Sequence, residues 1–269
     1  MKKIILAFIA VVAFLNVSNA QHDTMYVMKA GMVISQFNIY TQVDSIVFKR
    51  PTVSTFTDAR DGNVYKMVTI GSQVWMAENL RYLPNVVGPA TGSEFFGHNS
   101  DSYCYVYGYN GTSVASAKQN PNYAKYGVLY NWNAAMDGYS SSAANPSGKK
   151  GICPTGWHMP SNAEWTQLTN GFGGDDFAAH ALLEIGTAHW NDPNNLSTNE
   201  SGFTALPGGE RSNIGDFFFV VGGSAYFWTS TAGDVGCYWR KQLVNNYPVV
   251  FSHGDADHYF GFSVRCVKD

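Results

Sequence analysis

Charge is scarce in this chain: Asp, Glu, Lys and Arg together make up 14% of its 269 residues, against a usual share of about 25%. The formal net charge is −3 and the pI lies near 6.1. No basic field is available to hold a phosphate backbone, so nucleic acid is excluded as a partner. After the first twenty residues there is no long apolar run, which excludes a multispan membrane protein. No CxxC pair occurs, and the histidines do not complete a zinc-ligand spacing with the cysteines. GxSxG, HExxH and P-loop patterns are missing as well, so the common hydrolase and nucleotide-binding chemistries have no signature here. What is plentiful is glycine, with 27 residues, and aromatic side chains, at 15%. That aromatic content with a low net charge excludes a disordered chain. The length suits one large domain, or one domain with a small addition.

The first residues read as a targeting segment. Lys2 and Lys3 precede an apolar run from Ile4 to about Val17, followed by the small-residue string Ser18-Asn19-Ala20. This is the order of a secretory signal peptide, expected over residues 1–20, and the run is short against the ~20 residues that span a bilayer. Residue 21 is Gln and no cysteine lies near it, so the expectation is an exported protein, extracellular, surface-bound or periplasmic, that is not a lipoprotein. Four cysteines follow, Cys104, Cys153, Cys237 and Cys266. An even number in an exported chain reads as disulfides, with three possible connectivities.

From Thr24 to Phe48 the chain reads as β: MYVMKAG, MVISQFNIY and QVDSIVF, ended by Lys49-Arg50-Pro51 because proline cannot continue a central strand. Residues 21–50 are expected to form an N-terminal β leader. A second β segment turns at Asp61-Gly62 and again at Gly71-Ser72. Residues 84–124 lack a usable period and read as a long loop. Three helices are expected. One runs over Tyr126–Met136, with Leu129, Trp132, Ala135 and Met136 at spacings of three and four. A second follows a capping box formed by Ser161 and Glu164. A third runs from Asp175 or Asp176 to Ile185, stopped by Gly186. After Gly202 short β runs return. Few helices among many short strands and long loops define an α+β fold.

Six strings in order, DARDGNVYKMVTIGSQVWMAENL (58–80), YGVLYNWNAAM (126–136), CPTGWHMPSNAEW (153–165), GFTALPGG (202–209), FWTST (227–231) and GFSVRCV (261–267), resemble the Fibrobacter succinogenes major paralogous domain, over residues 55–268. That domain is common in exported proteins of Bacteroidota and Fibrobacter. The leader is similar to the short β leaders of Bacteroidota surface proteins. GWHMPSNAEW and GFSVRC are also similar to formylglycine-generating-enzyme-like domains. The resemblance implies a C-type-lectin-like scaffold, loop-rich, with few helices packed on short antiparallel strands and the terminal strands side by side. It also implies a Cys153–Cys266 disulfide, and the two remaining thiols, both off the family pattern, suggest a Cys104–Cys237 pair, with either free as the alternative. The chemistry of formylglycine-generating enzymes needs two neighbouring cysteines that bind copper. Only Cys237 falls in the matching region, so no enzymatic activity and no cofactor are expected, a degenerate enzyme of that kind being the remoter alternative.

Candidate ligand contacts are Tyr105 and Tyr107, from a run Tyr103/Tyr105/Tyr107/Tyr109 that would share one face of a strand, a buried face being the equal alternative, together with Trp239 and Arg240. Trp75, Trp132, Trp157, Trp165 and Trp228 lie within the matching strings and are read as core. Asp255 and Asp257, in the string His253-Gly254-Asp255-Ala256-Asp257-His258, alternate with small residues and could turn oxygens toward one cation such as calcium; the plain alternative is a solvated turn. Trp190-Asn191-Asp192 spells a C-type-lectin calcium motif, but far from its usual place near the C-terminus, and is not assigned. Asp23-Thr24-Met25 and Asp44-Ser45-Ile46 resemble O-glycosylation acceptors of Bacteroidota. The function expected from these features is a secreted or cell-surface recognition module that displays loops 84–124 and 232–258 toward a glycan or a cell-surface protein. The alternative is a structural component of a surface assembly, docked through the leader.

Overall fold

A computed structural model describes residues 24–29, 32–38, 53–92, 101–214 and 217–269, and within residues 24–38 the side chains of Ser35 and Gln36 alone. The expected signal peptide, the QVDSIVF strand with its Lys49-Arg50-Pro51 stop, the Asp44-Ser45-Ile46 string, Asp23 and residues 93–100 of the long loop lie outside the described residues. The chain divides into two units, residues 1–49 and 50–269. In the first, β1 (Thr24–Lys29) and β2 (Met32–Asn38) form an antiparallel pair with an irregularity between Val27 and Met28.

The second unit is built on two antiparallel sheets. One has five strands in the order β3 (Val53–Thr57), β4 (Val64–Ile70), β5 (Gln73–Met76), β14 (Val267–Lys268) and β8 (Trp157–His158). Asp61-Gly62 lies in the β3–β4 connection, where Gly62 takes φ +76°, a value that costs glycine nothing. The last strand thus lies between β5 and β8, the strand preceding the capped helix. The other sheet is the meander β11 (Ser224–Ala232), β12 (Cys237–Val244) and β13 (Val250–Asp257). Two short ladders complete the strands: β6 (Cys104–Tyr105) with β7 (Leu129–Tyr130), and β9 (Glu210–Arg211) with β10 (Phe218–Phe219).

Five short helices are among the described residues: α1 (Val114–Lys118), α2 (Pro121–Tyr126), α3 (Trp132–Met136), α4 (Asn162–Asn170) and α5 (Ala179–Leu182). The α4 capping box is present as the sequence predicts. Ser161 Oγ accepts from the Glu164 N–H at 3.2 Å, and Glu164 Oε2 accepts from the Ser161 N–H at 2.9 Å. The helix expected over Tyr126–Met136 is instead cut in two. Gly127 takes φ +80° beneath Leu80, whose carbonyl oxygen would lie 2.8 Å from any Cβ there. The chain crosses as β7 before Asn131 caps α3 by accepting from the Ala134 N–H. The third helix shrinks to α5, which has no side-chain cap. Asp175 is drawn elsewhere: its carboxylate accepts from Thr169 Oγ1 at 2.5 Å and from Ser252 Oγ at 2.8 Å.

Two apolar cores result. One gathers Tyr65, Met76, Trp132, Trp157, Trp228 and Phe262 around the Cys153–Cys266 disulfide. The other packs Trp75, Trp165, Phe203 and Phe227 edge to face or tilted, with ring centroids 5.0–5.9 Å apart, the arrangement that aromatic quadrupoles favour. All five tryptophans read as core are buried.

Among the described residues, segment 84–124 is anchored to the domain at several points. Val86, Cys104, Val106, Ala117 and Tyr123 are buried in the first core. Arg211, fully buried, gathers the near end of the segment: Nε donates to Pro89 O at 2.8 Å and Nη2 to Thr91 O at 2.9 Å. A buried guanidinium must spend its donors on protein acceptors, and these backbone carbonyls are the ones it finds.

Candidate functional site

The candidate site lies where β11 passes into β12 and runs beside β13. The β11–β12 turn is closed by Gly233 N–H donating to Cys237 O at 2.9 Å and Cys237 N–H donating to Asp234 O at 2.8 Å. Across β12 and β13 the register pairs Tyr238 with Ala256 and Arg240 with His253. Trp239 alone therefore opposes Gly254 and Asp255, a β-bulge on β13, a device that re-aims side chains at sheet ends. Two glycines let the backbones close up: a Cβ on Gly233 would meet Gly254 O at 1.9 Å, and one on Gly254 would meet the Trp239 indole at 2.9 Å. Trp239 thus lies against bare backbone and is half-buried. The result is an open cleft of about 510 Å³, lined by Asp234, Trp239, Ser252, His253 and Asp255 with the two glycines.

Electrostatics at the cleft are set by a few placed groups. Lys241, fully buried, donates from Nζ to Ser252 Oγ at 2.5 Å and lies 3.5 Å from Asp175 Oδ2. Burial pushes its pKa down, against the pull of Asp175. Arg240 Nη2 lies 3.7 Å from Asp255 Oδ1, and its guanidinium sits over the Tyr226 ring at 5.5 Å. On the Cys237 thiol, burial and then the carboxylates of Asp257, Asp234 and Asp255 raise the pKa. Further along, burial pushes the Glu210 carboxyl up to about 7, with Arg240 opposing.

The structure brings Trp239 and Asp255 together at the cleft and ties Arg240 to it through Asp255. It does not bring Tyr105 or Tyr107 there. Tyr105 is fully buried beneath the Arg211 guanidinium at 4.8 Å and donates its hydroxyl to Thr91 O. Tyr107 packs on Phe218 at 4.9 Å. The tyrosine run is no four-residue strand, since only Cys104 and Tyr105 pair in β6. Asp255 and Asp257 lie in β13, so the reading of their string as a turn is corrected to a bulged strand. Asp257 accepts from Asn213 Nδ2 at 2.6 Å and from the Tyr259 N–H at 2.9 Å, one bond to each carboxylate oxygen. Among the described residues, no group of three or more His, Cys, Asp or Glu is arranged to hold a metal ion. Asp234, Ser252 and His253 fall within the expected loop 232–258, but the sequence alone does not single out Asp234 or Ser252 within it. The one local signal was the pair of glycines placed to admit a tryptophan.

The cysteines divide. Cys153 and Cys266 form a disulfide. Cys104 and Cys237 are free thiols, one buried in β6 and one half-exposed at the cleft turn, so the Cys104–Cys237 pairing is corrected. Each is spent in a different sheet, Cys104 opposite Tyr130 and Cys237 opposite Asp257.

Small antiparallel sheets, few helices and an open cleft at a bulged hairpin describe a loop-rich α+β domain. The chain belongs to the Fibrobacter succinogenes major domain family, whose sequence model matches residues 68–268. No curated protein and no solved structure matches the chain. Among the described residues, no helix is long and apolar enough to cross a membrane.

Proposed function

We propose that this protein is an exported, non-enzymatic recognition module on a C-type-lectin-like scaffold, and that it binds a glycan in the Trp239 cleft. The observation that carries the reading is the aromatic wall. A half-buried indole, held by two glycines beside Asp234, Ser252, His253 and Asp255, matches what a sugar ring needs: an apolar plate and a few convergent polar groups. The β12–β13 hairpin takes the role first given to both long loops. The place of β14 between β5 and β8, closed by the Cys153–Cys266 bond, supports the lectin-like scaffold. Calcium is not part of this reading, which rests on the indole and the polar groups beside it. The separate positions of the two free thiols support the absence of two-thiolate copper chemistry.

A glycan array probed with residues 21–269, in calcium and again in EDTA, tests the proposal. Binding that survives EDTA and falls at least tenfold in Trp239→Ala is the expected result. Binding abolished by EDTA returns attention to Asp255, and no binding in either buffer overturns the glycan reading.

A second reading has its own observation. The β1–β2 pair belongs to a unit separate from the domain, and a two-stranded hairpin is at best marginally stable alone. It is suited to completing itself on a partner in a surface assembly. Deleting residues 21–50 would abolish assembly in that case and leave sugar binding untouched in the first.

A further inference from the structure

Resting on the reading of the Trp239 cleft as a glycan site, we propose that the cleft accepts neutral or amine-bearing pyranose rings and rejects glycans carrying carboxylate or sulfate groups. The charges on the rim carry this. Asp234 and Asp255 line the cleft, and Asp255 keeps 68% of its side chain exposed. Asp257 stands two residues further along the same strand.

The cations nearby are committed. Lys241 has no exposed side-chain surface, and its ammonium is held by Ser252 and Asp175 beneath the sheet. Arg240 keeps 17% of its side chain exposed; Nη1 donates to Gln242, Nη2 lies near Asp255, the guanidinium covers the Tyr226 ring, and Nε is buried without a partner where no ligand reaches it. It offsets one carboxylate and leaves the rim negative.

Cys237 provides an internal witness. Its thiol sits in the turn that bounds the cleft, and besides burial the groups that hold it protonated are Asp257, Asp234 and Asp255. The same field acts on any ligand that enters. Carboxylates accept hydrogen bonds from sugar hydroxyls and favour an ammonium, which can also lie over the indole face. A uronate or sulfate meets like charge, and juxtaposed like charges are what exclude wrong partners.

The test compares three oligosaccharides of equal length at pH 6, where the sugar amine is protonated and the uronate ionised: an N-acetylglucosamine oligomer, its deacetylated amine form and an oligogalacturonate, by titration calorimetry at moderate salt. The neutral and amine forms should bind about fivefold tighter or more than the uronate. The double variant Asp234→Asn, Asp255→Asn should narrow that preference. Uronate binding that matches or exceeds the others, and depends on Trp239, overturns the proposal and leaves the glycan reading standing. Failure of all three sugars overturns the glycan reading itself, and the proposal with it. A second measurement needs no sugar. Cys237 should react several-fold faster with a cationic thiosulfonate reagent than with an anionic one of similar size, while buried Cys104 stays silent. Equal rates overturn the proposal whatever the sugars do.

Discussion

His158 Nε2 lies 2.7 Å from Glu164 Oε1 inside the domain, while Nδ1 of the same ring lies 2.7 Å from Asp269 Oδ1. A neutral imidazole has one N–H, so two carboxylate acceptors require the doubly protonated ring. Burial pulls the pKa of His158 down, but the hydrogen bonds its ring donates to Glu164 and Asp269 outweigh it and leave it above 6.5. Because the folded value is raised, the stabilisation is complete below about pH 6.5 and is lost as pH rises through the folded pKa. Replacing His158→Ala should cost about 3 kcal/mol at pH 6 and clearly less at pH 9. Urea unfolding at the two pH values checks this; an equal loss at both would show that the ring acts by packing alone.

The Cys153–Cys266 bond joins residues 113 apart in sequence. A loop of that length is worth roughly 4–5 kcal/mol in the chain-entropy model. Reduction, or the double variant Cys153→Ala, Cys266→Ala, should lower the thermal midpoint substantially. Thiol counting gives an independent check. Native protein should expose one readily titrated thiol, Cys237, and denatured unreduced protein two. Four thiols after denaturation without reductant would refute the pairing.

What was legible in the sequence was what is decided locally. Ser161 and Glu164 are three residues apart and settle their cap between themselves. Five of the six buried tryptophans sit in strongly patterned strings. What was not legible depends on register between distant strands. The bulge that sets Trp239 against Gly254 and Asp255 exists only once β12 and β13 are aligned, so the same letters read as a turn. Asp175 looks like a cap until Ser252 and Lys241 reach it from the meander. Tyr105 looks available until Arg211 arrives over its ring. In each case a partner distant in sequence, or on the far strand of a hairpin, overrode a sound local preference.

Arg211 should prove indispensable to segment 86–92. Its guanidinium donates to Pro89, Gly92, Thr91 and Tyr259 carbonyls and covers the Tyr105 ring. Arg211→Met keeps the apolar stem but strands those carbonyls. With hydrogen bonds to a charged group worth about 1.5–3 kcal/mol each and not additive, a loss of about 3 kcal/mol or more is expected. Limited proteolysis should cut the variant first near residues 86–92, whereas uniform resistance there would mean that Arg211 does not hold the segment.

Glu210 offers the opposite sign, a residue whose removal should stabilise the fold. Burial raises its carboxyl to about 7 against an ordinary 4.5, and Arg240 recovers only part of the cost. Between those values the folded chain binds more protons than the unfolded one, so stability falls as pH rises from about 4.5 to 7. Above pH 7 the folded protein carries the full cost of a poorly solvated carboxylate. Glu210→Gln keeps the shape and removes the charge. It should be more stable than the parent by about 1–3 kcal/mol at pH 8, reckoned at 1.36 kcal/mol for each pKa unit and discounted for partial solvation, and nearly equal to it at pH 4.5. Unfolding curves collected across that range would show the parent declining where the variant stays level. A variant less stable than the parent at pH 8 would mean that the attraction to Arg240 outweighs desolvation, and that Glu210 anchors the guanidinium beside Tyr226.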